Sequence, residues 1–426
     1  TITPAPDEVV LWFEDNKIDL ISTDADAGCD DLEQFQDMVG DARVVMMGDA
    51  TAGTHETATL KQRLTQCLIL NKGFTHMFLD ADFNQMLAIN EYINTGQGNP
   101  NFLLNNLYSW HYNTSEMLDF LTWLQNHNFN NPTSPIAMYG MDVGFTQPLI
   151  RNVINYINLV DPDSAPLITE LYACYLPYAA QVQNGEYVAT IPTYEFGNLP
   201  NAEANACLGN LEQVKQHLAD NQEAYIAASS REQIAPIIHS AYLIKEQAFG
   251  FTLANRAYSQ YQETKAYSLA WLLAPEHENK LVVWSLNTLI ADEVDTITHH
   301  LSNYIDPDEI VNVGFSVYHG QFNSRDLSQP DQYPVTVFDL REPGFNNYEN
   351  YPHKTGAPYF YVDFRQLSPN STPAQTLRSS LNLYSSYKMT TRPNNLVYPI
   401  FKVADAFDIM FHIEHSTPTT YIGTLP

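Results

Sequence analysis

Two short apolar runs, RVVMMGD (43–49) and THMFLDAD (75–82), each stop at a carboxylate and are separated by a segment of helical periodicity. Runs of this length, rich in β-branched and apolar residues and bounded by Gly-Asp, read as buried parallel strands. The segment between them, THETATLKQRLTQCLILNKG, places Leu60, Leu64, Cys67 and Leu68 at i, i+4, i+7 and i+8 and offers Gly73 as a C-cap, so its spacing predicts a helix. Strand, helix and strand form a β-α-β unit, whose right-handed crossover brings both strand ends to one edge of a parallel sheet. Asp49 and Asp80 are therefore expected to face one crevice, where open α/β sheets bind ligands.

The pattern recurs along the chain. SEMLDFLTWLQNHN (115–128) reads as a helix, PIAMYGMD (135–142) as a strand ending in Asp142, and KLVVWSLN (280–287) as a strand ending in Asn287. EIVNVGFSVYHG (309–320), PVTVFDL (334–340), PYFYVDF (358–364) and FDIMFHIEH (407–415) are further strand candidates. Helical periodicity dominates 148–272, in ITELYACYLPYAAQV, NLEQVKQHLADNQEAYIAA and AYLIKEQAFGFTLANRAYSQYQ. The expected architecture is α/β: a mostly parallel central sheet flanked by helices, built from 1–147 and 273–426. A helical insertion lobe, 148–272, is expected over the strand carboxyl ends, either covering a substrate pocket or serving as a structural layer. No short internal repeat is present, and the Pro/Asn-rich stretch 366–399 reads as ordered loop.

Charge narrows the partners. Forty-nine acidic against 20 basic residues give a formal charge of −29, a field that repels nucleic acid and anionic membranes. No apolar run approaches the roughly 18 residues of a membrane span, so the chain is expected to be soluble, without membrane insertion. The four cysteines lack C-x-x-C spacing, which removes zinc-ribbon and thioredoxin-like readings. Cys67, on the apolar stripe of its helix, is expected in the core; Cys174 and Cys207 flank a loop and can pair in an oxidising compartment. The chain begins TITPAPDEVV, as a processed mature chain does, which favours export over the cytoplasm. Neither G-x-G-x-x-G nor G-x-x-x-x-G-K-[ST] follows a strand, so no nucleotide cofactor is expected, and no G-x-S-x-G elbow marks a serine esterase.

The stretch RVVMMGDATAGTHETATLKQRL resembles the signature of the erythromycin esterase family, in which an apolar strand runs into Gly-Glu-Ala-Thr-His-Gly-Thr and then a helix with Leu-Lys-x-Arg-Leu. MFLDADF, SWHYNTSEMLDFLTWLQNHN, MYGMD, LVVWSLN, VGFSVYHGQF and FDIMFHIEHSTPTT follow in the family's order, so seven landmarks span about 370 residues. The resemblance implies an α/β fold with a helical lobe and, in active members, water-mediated hydrolysis of a macrolactone or related ester. The departures fall on the chemistry. The family's histidine, thought to activate the attacking water, is replaced by Ala52, and the histidines of Trp-Ala-His-Asn-x-His by Leu286 and Leu289, leaving Asn287. Counting back from Trp271, the family's Arg-Asp pair becomes Tyr261 and Gln262, and its two glutamates become Asp49 and Asp80.

What remains still has acid–base character. Asp49, Asp80 and Asp142 come from strand ends, Trp110, His111 and Tyr112 from a loop expected at the same edge, and Lys61 from the first helix. His55 follows the lost histidine position by about one helical turn. Crowded carboxylates raise the pKa of one of them, which suits general acid or base work. Asp49, Asp80 and His55 are thus the catalytic candidates, and Trp110, His111, Tyr112, Asp142, Lys61 and Asn287 the substrate-binding candidates. The alternative has Asp49 and Asp80 capping the segments after them and His55 solvated in the first turn. No metal is expected, because the strand-end aspartates lack tight ligand spacing, and His299-His300 and His412-x-x-His415 read as surface and strand residues. Three functions follow: a small-molecule enzyme using carboxylate chemistry such as cyclisation, isomerisation or elimination; a hydrolase with a relocated base; or a binding protein that lost catalysis. Loss of three histidines disfavours the second, and the retained acidic strand ends favour the first over the third.

Overall fold

The computed structural model describes residues 7–423 apart from 180, 184–185, 189–194, 254–256, 274–277, 330–333, 386–388 and 391–398, so part of the 366–399 loop lies outside the described residues. Ten strands build the central sheet. In chain order they are β1 (Ile18–Asp19), β2 (Val44–Met47), β3 (His76–Asp82), β4 (Ala137–Asp142), β5 (Leu281–Trp284), β6 (Ile310–Asp326), β7 (Val335–Leu340), β8 (Tyr359–Asp363), β9 (Met389–Thr390) and β10 (Ile409–Ser416). Their spatial order is β1-β8-β10-β6-β2-β5-β3-β4, with β7 and β9 each paired to β6.

The centre of the sheet, β10-β6-β2-β5-β3, is parallel throughout. Every residue of β2 and β5 is buried, without alternation, as expected where helices cover both faces. The eight apolar runs all form strands, and the fold is the mixed α/β sheet flanked by helices that they imply. The antiparallel parts are less visible in the sequence: β1-β8-β10 at one edge and the β6–β7 pair. β5 stops short of the expected Asn287, which opens a brief helix, Asn287–Ile290.

The helix between β2 and β3, α1, spans His55–Lys72 with Thr54 at its N-cap position. It ends at Gly73, whose φ of 71° is the left-handed conformation that glycine adopts without a Cβ penalty. A second helix, α2 (Ser115–Asn130), is capped by Thr114, whose side chain accepts from the Met117 N–H.

The chain divides into two compact units. The first comprises residues 1–80, 89–139 and 273–426 and holds most of the sheet, together with α1 and α2. The second comprises 81–88 and 140–272 and is mainly helical. Within it, α5 (Arg231–Phe251) packs on α3 (Thr146–Val160), α4 (Asn201–Asp220) and α6 (Ala257–Ala270). Among the described residues no helix is long and apolar enough to cross a membrane.

Both cysteine pairs form disulfides. Cys174–Cys207 links the segment after Ala165–Tyr172 to α4, the pairing for which the sequence left room. Cys67 is buried in the core as expected, and it is also half of a cross-link, Cys29–Cys67, that ties the loop around residue 29 to α1.

Glu349 is wholly buried in the first unit, where its Oε1 accepts from the Tyr384 N–H at 2.5 Å. Burial pushes its carboxyl from 4.5 up to about 7. A raised folded-state value means that its stabilising contribution is complete below pH 4.5 and is lost as pH rises through about 7. The loss is on the order of 3 kcal/mol. Glu349→Gln should therefore gain stability relative to the wild type between pH 5 and pH 8, read from urea midpoints; parallel pH profiles for the two proteins would refute the assignment.

Candidate active site

The parallel register aligns Met47 with Trp284 and Trp284 with Leu79, so the residues that follow, Asp49 and Asp80, stand at the same end of the sheet. The chain leaves β2 through Gly48, where any Cβ would overlap the side-chain amide of Asn287. Asn287 is completely buried, its Nδ2 donating to Phe315 O at 2.7 Å and its Oδ1 accepting from Phe315 N–H at 3.1 Å. Its amide therefore stitches the end of β5 to β6, and the substrate-binding role expected of it has no support in this geometry.

A crevice opens beside Asp49, lined by Asp49, Ala52 and Thr54, by Ala58, Lys61 and Gln62 of α1, and by His111, Tyr112, Thr114, Met117 and Trp284. Ala58, Lys61 and Gln62 recur at helical spacing, which is why one face of α1 forms its wall. Lys61, 2% exposed, donates from Nζ to Asp49 Oδ2 at 2.7 Å and lies 5.0 Å from the centre of the Trp284 ring. Burial pulls the Lys61 ammonium below its usual range, against the pull of the Asp49 carboxylate. Trp284 is fixed by a bond from its Nε1 to Thr65 Oγ1 at 3.1 Å and by stacking on Phe120. Burial, with Asp80 and Asp49 nearby, raises the Tyr112 phenol well above its normal range and keeps it a neutral donor, directed to Trp284 O at 3.3 Å. His111 is buried with its ring 4.1 Å from that of Tyr112. The enclosed volume is about 20 Å³, room for roughly one water molecule.

Several candidates lie elsewhere. Asp80 is 2% exposed and does not line the crevice; its Oδ2 accepts from Ser285 Oγ at 3.5 Å and its backbone oxygen from Ser109 Oγ at 3.1 Å. Trp110 is buried, with Tyr421 edge-on to its ring. Asp142 belongs to the second unit, where Oδ1 accepts from the Tyr261 hydroxyl and from the Val143 N–H.

His55 turns to α2 instead of the crevice. Its Nδ1 meets Glu116 Oε1 at 2.6 Å, and this hydrogen bond is the main cause of its raised pKa. Glu116 also accepts from the Thr420 N–H at 3.0 Å, while the His55 N–H donates to Thr417 O at 2.9 Å. Glu56 takes the backbone and hydroxyl of Thr417, both at 2.7 Å. The first turn of α1 and Glu116 thus anchor the C-terminal segment Thr417–Tyr421. Glu116, Thr114 and Gln62 escaped the sequence reading; the Glu116 and Gln62 partners come from elements far apart in the chain. Among the described residues, no group of three His, Cys, Asp or Glu side chains could hold a metal ion.

A family model described as erythromycin esterase matches residues 69–416, most of the chain. The chain belongs to the erythromycin esterase family. An erythromycin esterase type II of Escherichia coli is 23% identical over 434 residues, covering 95% of this chain and 97% of that protein. Among solved structures, a Bacillus cereus protein superposes with a TM-score of 0.82 at 23% identity, over 98% of this chain and 100% of the other. A succinoglycan biosynthesis protein gives 0.81 at 22% identity, over 97% and 98%. A mutant erythromycin esterase in its open conformation gives 0.69 at 12%, over 93% and 96%. Leu286 and Leu289 fall inside the family match and are buried, 4% and 9% exposed, whereas Ala52 precedes it.

Proposed function

We propose that this chain is a non-hydrolytic member of the erythromycin esterase family that does not open an ester at this crevice and binds its small-molecule ligand outside it. One observation carries the reading: the carboxylate at the end of β2 is paired with a buried ammonium in a crevice with room for one water. A carboxylate in that pair cannot take a proton from water without leaving Lys61 charged and unpaired, which a buried site strongly disfavours. Ala52 carries no base, Leu286 and Leu289 carry none, and His55 lies outside the crevice, turned to Glu116. The two disulfides support an exported setting.

His111 gives a second reading some weight, because it lines the crevice beside Asp49 and Tyr112. With Asp49 it would supply acid–base chemistry of the kind that cyclises, isomerises or eliminates a small metabolite. Mass spectrometry separates the readings. Erythromycin-type macrolactones and simple aryl esters should remain intact with the purified protein, since a missing general base alone typically costs about 10²- to 10⁴-fold. Efficient ring opening would overturn the proposal. Isomerised products from metabolite extracts that appear with wild type and vanish with Asp49→Asn would establish the acid–base enzyme instead.

A further inference from the structure

A larger pocket, about 280 Å³, is lined entirely by residues of the second unit, including Val143, Glu246, Phe251, Tyr258, Gln260 and Tyr261. An apolar cavity of roughly 150 Å³ takes benzene, so this one suits a single ring with a short substituent. Most of the pocket's polar side chains are already bonded to neighbouring groups. Gln247 Nε2 donates to Val143 O at 2.6 Å, Gln260 Nε2 to Glu246 Oε2 at 2.9 Å, Thr264 Oγ1 to Gln260 O at 2.9 Å, and the Tyr261 hydroxyl to Asp142.

The polar group best placed for a ligand is a buried carboxylate. Glu246 is 8% exposed; its Oε1 takes Lys245 Nζ at 3.0 Å and its Oε2 takes Gln260, which leaves lone pairs on both oxygens. Aromatic rings make up much of the remaining wall, and ring faces attract cations. Tyr261 already receives one, with Lys265 Nζ 4.5 Å from its ring centre. A guest that donates hydrogen bonds to Glu246 and carries a positive charge suits this lining.

The geometry points to a binding site for an organic ammonium ion with a small apolar body, its N–H directed at Glu246 and its cationic end against Tyr258 and Tyr261. This deepens the binding reading above by naming a ligand class, but it rests on a different set of residues.

Calorimetric titration of the full chain with benzylammonium, benzyl alcohol and benzoate tests the site. Benzylammonium should bind at least about tenfold more tightly than benzyl alcohol, the expected yield of a charge-assisted hydrogen bond and a cation–π contact together, and benzoate should not bind. Glu246→Gln should erase that preference while leaving benzyl alcohol unchanged. Tyr258→Leu, which keeps the carboxylate and removes a ring, should weaken benzylammonium severalfold with an unchanged melting temperature. Equal affinity for amine and alcohol, preference for benzoate, no binding at millimolar concentration, or an amine preference that survives Glu246→Gln would each overturn the inference. Ester hydrolysis by a protein that still binds benzylammonium would sink only the non-hydrolytic reading.

Discussion

Lys61→Met should destabilise the protein by about 3–5 kcal/mol, the cost of leaving a buried carboxylate without its partner. Asp49 is 8% exposed and its Oδ2 receives the ammonium at 2.7 Å, so methionine replaces the stem of the lysine and nothing replaces its charge. The contact of Nζ with the Trp284 ring is lost as well, adding a smaller penalty. In this variant the Asp49 carboxylate keeps its burial and loses the ammonium that offsets it. The deficit should therefore be small in acid and grow as pH climbs past the normal carboxylate range. Adding Asp49→Asn to Lys61→Met should recover much of the loss, because a neutral amide is far less costly to bury, and the double-mutant cycle then gives the coupling of the pair. Urea unfolding at pH 4 and pH 8 makes the comparison. A Lys61→Met protein within about 1 kcal/mol of wild type at both values would mean that Asp49 is solvated, and the argument that the pair silences this carboxylate would fail with it.

The sheet was legible in the sequence because its central strands are buried on both faces and therefore read as unbroken apolar runs, RVVMM and LVVW among them. The edge was not. β1 has two residues, and the antiparallel pairing of β8 with β10 follows from connections that no local pattern encodes. His55 shows a different failure. Placing it on the side of the lost histidine used the helical rule that residues three apart share a face, but that rule holds only inside a helix. Ala52 precedes α1, and Thr54 between them is extended, with φ −102° and ψ 124°, so the turn that separates 52 from 55 is not helical and the imidazole swings to Glu116. The partnership of Asp49 with Lys61 was within reach, since both residues were singled out, yet spacing alone could not say that the second would neutralise the first. The contacts of Thr417 and Thr420 with Glu56 and Glu116 join positions more than 300 residues apart, beyond any local reading.

Cys29 was equally opaque, a loop cysteine whose partner lies 38 residues on, and its cross-link should be the other large contributor to stability. In the chain-entropy account, closing a loop of that length removes about 4 kcal/mol of unfolded-state freedom. The double variant Cys29→Ala/Cys67→Ala should lower the melting temperature by on the order of 10 °C. The native contacts that surround the bridge do not depend on it. Arg63, fully buried on α1, donates from Nε to Gly28 O and from Nη1 to Ser22 O, both at 2.7 Å, and forms an ion pair with Asp31. These bonds hold residues 22–31 against the helix whether or not the sulfurs are joined, so the variant should fold at moderate temperature and lose stability without losing structure. Adding Arg63→Met should then abolish folding, because it strips the same segment of its remaining anchor and leaves the Asp31 carboxylate with no cationic partner on α1. Cys174→Ala/Cys207→Ala provides the contrast: it removes a cross-link between residues 33 apart inside the second unit, so it should lower the melting step of that unit and leave that of the first unchanged. A Cys29→Ala/Cys67→Ala protein that melts within about 2 °C of wild type would show that the unfolded chain is already held compact near this segment, and that Arg63, more than the disulfide, fixes it to α1.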